Sequence, residues 1–153
     1  MMIRVIQDVE TLSVYIDGIV AALQKMIRRT GLHGQSIENV VTMMFQGIVA
    51  GRSFLLVGTD EDSNGDRTNL SGLLYAQLVQ DSPPWVEVVA MWSRPGRATK
   101  ARETVFAMLR EWAKRRGATK IISVITRSPD RFYEFFHKPL GFKKVGIVVE
   151  VEV

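Results

Sequence analysis

Glu87 is the only acid in the run Trp85-Val86-Glu87-Val88-Val89-Ala90-Met91-Trp92. Buried among such neighbours, a carboxyl group loses its water, and its pKa rises towards the range where proton transfer at neutral pH becomes efficient. Strand alternation offers the other reading, an outward-facing charge. A second concentration of chemistry follows at once. Between Arg94 and Lys120 stand nine cations (Arg94, Arg97, Lys100, Arg102, Arg110, Lys114, Arg115, Arg116, Lys120) against two acids, Glu103 and Glu111. With a net charge of +4, this suits an anionic ligand; the ordinary alternative is a solvated helix face. The chain has no cysteine, so a cysteine nucleophile, a disulfide framework and a zinc-thiolate site are all excluded. His33 and His137 are its only histidines and stand far apart, which argues against a histidine-built metal centre and leaves only carboxylate ligation open.

These residues need elements to hold them. Ile3-Arg4-Val5-Ile6 reads as a strand and Asp8 as the cap of a helix with Leu12, Ile16, Ile19, Leu23 and Ile27 on one face. Gly31 and Gly34 end that segment. Ser36 caps a second helix carrying Ile37, Val40, Val41, Met44 and Ile48. Phe54–Val57, Leu73–Val79 and Trp85–Trp92 read as three strands, the first two joined by a polar hairpin loop containing Asn64-Gly65. A helix from about Thr99 to Arg116 follows Pro95-Gly96, and Gly117 terminates it. Lys120–Thr126 is a strand, Ser128-Pro129-Asp130 starts another helix, and Val145–Val153 is a last strand. The predicted fold class is α/β: a mixed central sheet flanked by helices on both faces, in the order β-α-α-β-β-β-α-β-α-β. With 153 residues, 46% apolar and 24% charged, the chain suits one ordered domain spanning 1–153. No apolar run approaches the roughly 18–20 residues that span a bilayer. The N-terminus lacks a signal-peptide pattern, so the sequence predicts a cytoplasmic protein.

Three local features carry a resemblance. Phe132-Tyr133-Glu134 followed by Leu140-Gly141-Phe142 is similar to a Phe-Tyr-Glu-Lys-Leu-Gly-Phe signature, with Phe135–Pro139 intervening. The strand around Glu87 resembles a central fourth strand. The turn after it, Ser93 to Arg102, occupies the place of a Gln/Arg-x-x-Gly-x-Gly/Ala loop. With the element order, these make essentially the whole chain resemble the GCN5-related N-acetyltransferase (GNAT) superfamily. The resemblance implies acetyl-CoA as cosubstrate and a primary amine as acceptor. It makes Glu87 the candidate base and Tyr133 the candidate acid for the departing thiolate. It puts the cofactor's arm on the backbone of Met91 and Trp92, and its pyrophosphate on Arg97, Ala98, Thr99, Lys100, Ala101 and Arg102. In that register Lys100 and Arg102 replace two small residues of the loop; a second register, Ser93 to Ala98, keeps Gly96 and Ala98 but loses the leading Gln/Arg. Such loops work because backbone amides approach the pyrophosphate at a helix N-terminus. The two cations either bind phosphate through their side chains or block the cradle.

The leading expectation is an acyl-CoA-dependent N-acetyltransferase that needs no covalent enzyme intermediate, in keeping with the missing cysteine. The alternative is a non-catalytic GNAT-fold structural or interaction protein, for example a component of a phage particle or another assembly, with a homodimer formed through an unpaired edge at the last strand. Nucleic-acid binding by the basic run is the third reading, and no recognised motif accompanies it. The segments Arg28–Ser36 and Thr59–Asn69 are expected to border the acceptor site.

Overall fold

The Asp8 carboxylate accepts a hydrogen bond from the Thr11 amide at 2.7 Å. It thereby satisfies one of the donors that every helix start leaves unpaired, and the same bond holds its pKa below the usual carboxylate value. The cap fixes the boundary between β1 (Met2–Ile6) and α1 (Val9–Ile27). Ser36 does the same for α2 (Ile37–Val49), accepting from the Asn39 amide at 3.1 Å. Then come β2 (Ser53–Thr59), β3 (Gly72–Val79), β4 (Trp85–Ser93), α3 (Ala98–Arg115) and β5 (Ile121–Ser123). The computed structural model describes residues 2–28, 35–60, 66–96, 98–124, 131, 133–146 and 151, with backbone alone for 98–100. Gly31, Gly34, the Asn64-Gly65 turn and most of the expected last strand lie outside them.

The sheet runs β1-β2-β3-β4-β5, antiparallel at every junction except β4–β5, which is parallel. Alternation along the strands supplies two cores. Leu55, Val57, Leu73, Tyr75 and Ala90 meet α1 and α2 through Leu12, Ile19, Leu23, Val40 and Met44. Phe54, Leu56, Leu74, Ala76, Val86 and Val88 meet α3 through Phe106, Leu109 and Trp112. Each fully buried side chain of this size stabilises by roughly 1.5–3 kcal/mol relative to exposure. The α/β sandwich with helices on both faces is therefore the one expected.

Two details differ from expectation. β5 ends at Ser123, with Val124 already outside the ladder. After it, Tyr133–His137 forms a π turn rather than a stretch of α-helix, followed by a 3-10 turn at Lys138–Leu140. Pro139 has no amide proton with which to extend an α-helical ladder. Gly141 then closes the segment at φ 88°, a left-handed conformation suited to glycine. Phe136 and Leu140 anchor this segment in the α3-side core.

Candidate functional site

The sheet departs from regularity in β4. Tyr75 pairs with Ala90, but the next residue, Ala76, pairs with Val88, so Val89 has no opposite number. This is a β-bulge. Val88 packs on the α3 side, whereas Val89 and Ala90 both belong to the α1/α2 side.

Close to the bulge, β4 also loses its second neighbour. β5 pairs with it only over Val86–Ile121, Glu87–Ile122 and Val88–Ser123. From Ala90 to Ser93, β4 is paired with β3 alone among the described residues. The Arg94 amide donates to the Ser71 carbonyl at 2.9 Å. By antiparallel alternation, Trp92 and Ala90 turn their amides to β3 as well, and Met91 and Ser93 turn theirs to the open edge. Backbone groups at such an edge need a partner when shielded from water.

Glu87 lies on the α1/α2 face, since its neighbours Val86 and Val88 pack on the other. It is half-buried and sits opposite Gln77 in the ladder. The Gln77 side-chain amide donates to the Tyr75 hydroxyl, which also lies 3.4 Å from Ser53 Oγ. Burial pushes the Tyr75 phenol above its ordinary pKa, and the Glu87 charge adds to that. A hollow bounded by Met43, Gln46, Gly47, Arg52, Gln77 and Leu78 opens next to this polar group. Further along β4, Trp92 is half-buried on the same face, with the Lys25 ammonium 5.2 Å from its ring centre. Met91 packs on the α3 side.

The chain leaves β4 through Pro95-Gly96, where Gly96 adopts φ 80°, and enters α3 at Ala98. The first-turn amides of that helix have no intrahelical acceptor. Arg97, and the side chains of Ala98, Thr99 and Lys100, lie outside the described atoms. Ala101 is half-buried. Arg102 turns its guanidinium to the segment after β5: Nη1 donates to the Phe135 carbonyl at 2.9 Å, and the group lies 5.9 Å from the Phe135 ring centre. Its Nε is buried and has no hydrogen-bond partner among the described residues, an uncommon state for a buried donor. Arg110, two turns on, donates to the Leu140 carbonyl. Other cations of the basic run are equally local: Arg94 pairs with Asp60, Lys114 with Glu111, and Arg116 and Lys120 lie over Trp112 and Trp85. Among the described residues these cations of the run thus have separate partners.

Tyr133 is half-buried on the π turn, and its hydroxyl donates to the Phe142 carbonyl at 3.0 Å. The Lys144 ammonium stands 4.9 Å from its ring centre. Phe136 places the turn on the α3 side of the sheet, so Glu87 and Tyr133 belong to opposite faces. Sequence reasoning assigned no role to His137. It is buried and edge-packed on Phe136 and Phe142, and its Nε2 is hydrogen-bonded to Ser123 Oγ at 3.2 Å. It thereby ties the turn to the last residue of β5, where the two strands part. Its one visible signal is its place directly after Phe135-Phe136, next to the charged Lys138.

No family model and no curated protein sequence matches this chain. Solved structures do. The aminoglycoside 6'-N-acetyltransferase AAC(6')-Ig from Acinetobacter haemolyticus is 16% identical at a TM-score of 0.67, over 100% of this chain and 98% of that one. AAC(6')-Iy, solved with the bisubstrate analogue CoA-S-monomethyl-acetylneamine, gives 15% and 0.66, covering 100% and 99%. Glucosamine-6-phosphate N-acetyltransferase from Arabidopsis thaliana gives 12% and 0.64, covering 99% of each. At such identities the likeness establishes the fold, which is that of the GNAT acetyltransferases.

Proposed function

We propose that this chain is a GNAT acyltransferase that transfers the acetyl group of acetyl-CoA to a primary amine. The observation that carries the reading is the parting of β4 from β5 after Val88, which leaves the Met91 amide at an open edge leading directly into the turn and first helical amides of α3. Fit with the cosubstrate is supported by the buried Nε of Arg102 beside that helix start, which has no hydrogen-bond partner among the described residues. Arg102 directs its Nη1 to Phe135, so the bulky residue at a small-residue position serves the neighbouring turn. Amides of Gly96, Ala98, Thr99 and Lys100 would receive the pyrophosphate, with Arg97 and Lys100 adding charge. Ala101 and Trp92 complete the lining.

Bound acetyl-CoA supplies an activated acyl carbon. Glu87, on the α1/α2 face, takes the proton of the incoming amine. The Met91 amide donates to the carbonyl oxygen as negative charge grows there. Tyr133, on the opposite face, gives its hydroxyl proton to the departing sulfur, after exchanging its bond to Phe142 for one to the thiolate. The amine nitrogen bonds to the acyl carbon and the carbon–sulfur bond breaks as the tetrahedral centre collapses, a direct transfer with no enzyme-bound acyl group.

Calorimetric titration and thermal unfolding with acetyl-CoA test this. At a hundredfold excess over Kd the ligand should add about 2.7 kcal/mol of stability. No heat and no shift at millimolar acetyl-CoA would overturn the reading. One observation favours a second reading, a non-catalytic interaction module: the Tyr133 proton is already given to Phe142. A stable oligomer indifferent to acetyl-CoA is the result expected of that module.

A further inference from the structure

We propose that Arg94 is a positioning residue that couples the cofactor turn to the β2–β3 connection. The inference rests on the acyltransferase reading. Arg94 stands between the last residue of β4 and the Pro95-Gly96 turn, so its backbone sets the direction in which the chain approaches α3. Three bonds hold it. Its amide donates to the Ser71 carbonyl at 2.9 Å. Its Nη1 meets Asp60 Oδ2 at 3.1 Å, with both side chains partly buried. Its Nη2 donates to the Asn69 side-chain carbonyl. Asp60 follows β2 and Asn69 precedes β3, so one planar guanidinium bridges the two limbs of the connection, a geometry lysine cannot reproduce.

The returning limb is itself fixed on α1. Asp66 accepts from the amide and hydroxyl of Thr68 at 2.9 and 2.7 Å. The Arg67 carbonyl packs so closely on Gly18 that any Cβ there would collide with it. The Arg67 guanidinium lies 5.9 Å from the Tyr15 ring centre, and Leu70 is buried. Arg94 therefore joins three parts: α1, the connection resting on it, and the turn proposed to hold the cofactor's phosphates. An anion that orders the turn also orders the connection, and by linkage the effect is reciprocal.

Amide hydrogen exchange with and without saturating acetyl-CoA reads both ends at once, with calorimetry giving the affinity. In the wild-type chain acetyl-CoA should slow exchange over residues 96–101 and also over 66–71. In Arg94→Ala, protection should persist over 96–101 but vanish over 66–71, and affinity for acetyl-CoA should fall roughly 5- to 10-fold. Asp60→Asn keeps the side chain's shape and removes its charge; it should act in the same direction, and it carries the test if Arg94→Ala fails to fold. Equal protection of 66–71 in the wild type and the folded variants overturns the coupling. So does a wild type that binds acetyl-CoA without protecting 66–71. A wild type that gives no heat with acetyl-CoA overturns the acyltransferase reading, and the coupling with it.

Discussion

The two edges of β4 have opposite fates. Along one, β3 follows it from Val79–Trp85 to Gly72–Ser93, interrupted only at Val89. Along the other, β5 leaves after Val88. The side chains do not explain the difference, since the strand is apolar along its length apart from Glu87 and Ser93. The closed edge belongs to the part of the sheet roofed by both cores, and its contribution is stability. Among the described residues the open edge offers its backbone donors no strand partner, a cost that persists where a ligand can supply the acceptor. Changes at the closed part should therefore act on unfolding, and changes at the open part on binding and rate.

The strongest test of that division is Glu87→Gln. Removing a general base should lower kcat roughly 10²–10⁴-fold, while the midpoint of urea unfolding stays put. A parallel fall in the midpoint would mean that Glu87 acts as a structural partner of Gln77. Next is Leu55→Ala, fully buried on β2 between β1 and β3 in the closed part of the sheet. It should cost about 2–5 kcal/mol in denaturant unfolding and leave the acetyl-CoA affinity of the folded fraction unaltered. Gly18→Ala drives a methyl group into the Arg67 carbonyl and should cost about 1–3 kcal/mol, measured the same way.

The smallest effect belongs to Tyr75. Tyr75→Phe strips a buried hydroxyl from Ser53 and Gln77 and should cost about 1 kcal/mol at pH 7. The substitution should also change the alkaline limb of stability. The folded-state pKa of Tyr75 lies above its unfolded value. Above about pH 10 the unfolded chain releases this proton while the folded one retains it. Its contribution is therefore complete below that pH and is lost as pH rises through the folded pKa. Tyr75→Phe should flatten the decline in stability there, as thermal melts between pH 9 and 11 would record.

Much of this architecture was legible because local chemistry dictated it. Asp8 and Ser36 cap the helices they were read to cap, and Leu12, Ile19, Leu23, Val40 and Met44 are buried as their spacing requires. Ile27, counted on the same stripe, is exposed at the end of α1, and Tyr15 and Met26 fill the core in its place. What escaped was set by pairing at a distance. Val88-Val89-Ala90 is apolar whichever way each residue points, so the bulge leaves no trace in composition. The two readings of Glu87, buried or outward, resolve to half-buried because its own cross-strand partner, Gln77, is polar and leads on to Tyr75. Arg102 looked like a cation in a phosphate loop, and its principal bond is to a carbonyl 33 residues away. Nothing in the sequence announces that Arg94 reaches back to Asp60.

The irregularity at Val89 has a consequence for how this strand can change. Glu87 and Trp92 are five positions apart, and in an uninterrupted strand an odd interval puts two side chains on opposite faces. Here both point to the α1/α2 side, because the extra residue shifts the strand's phase by one between them. Deleting Val89 would remove the bulge and leave a regular strand with Glu87, Ala90 and Trp92 still on one face and Val88 and Met91 on the other. The faces at the open edge thus depend on where that one extra residue is absorbed: a regular pairing that kept Val89 without the bulge would turn Met91 and Trp92 over, and a shorter strand without Val89 would not.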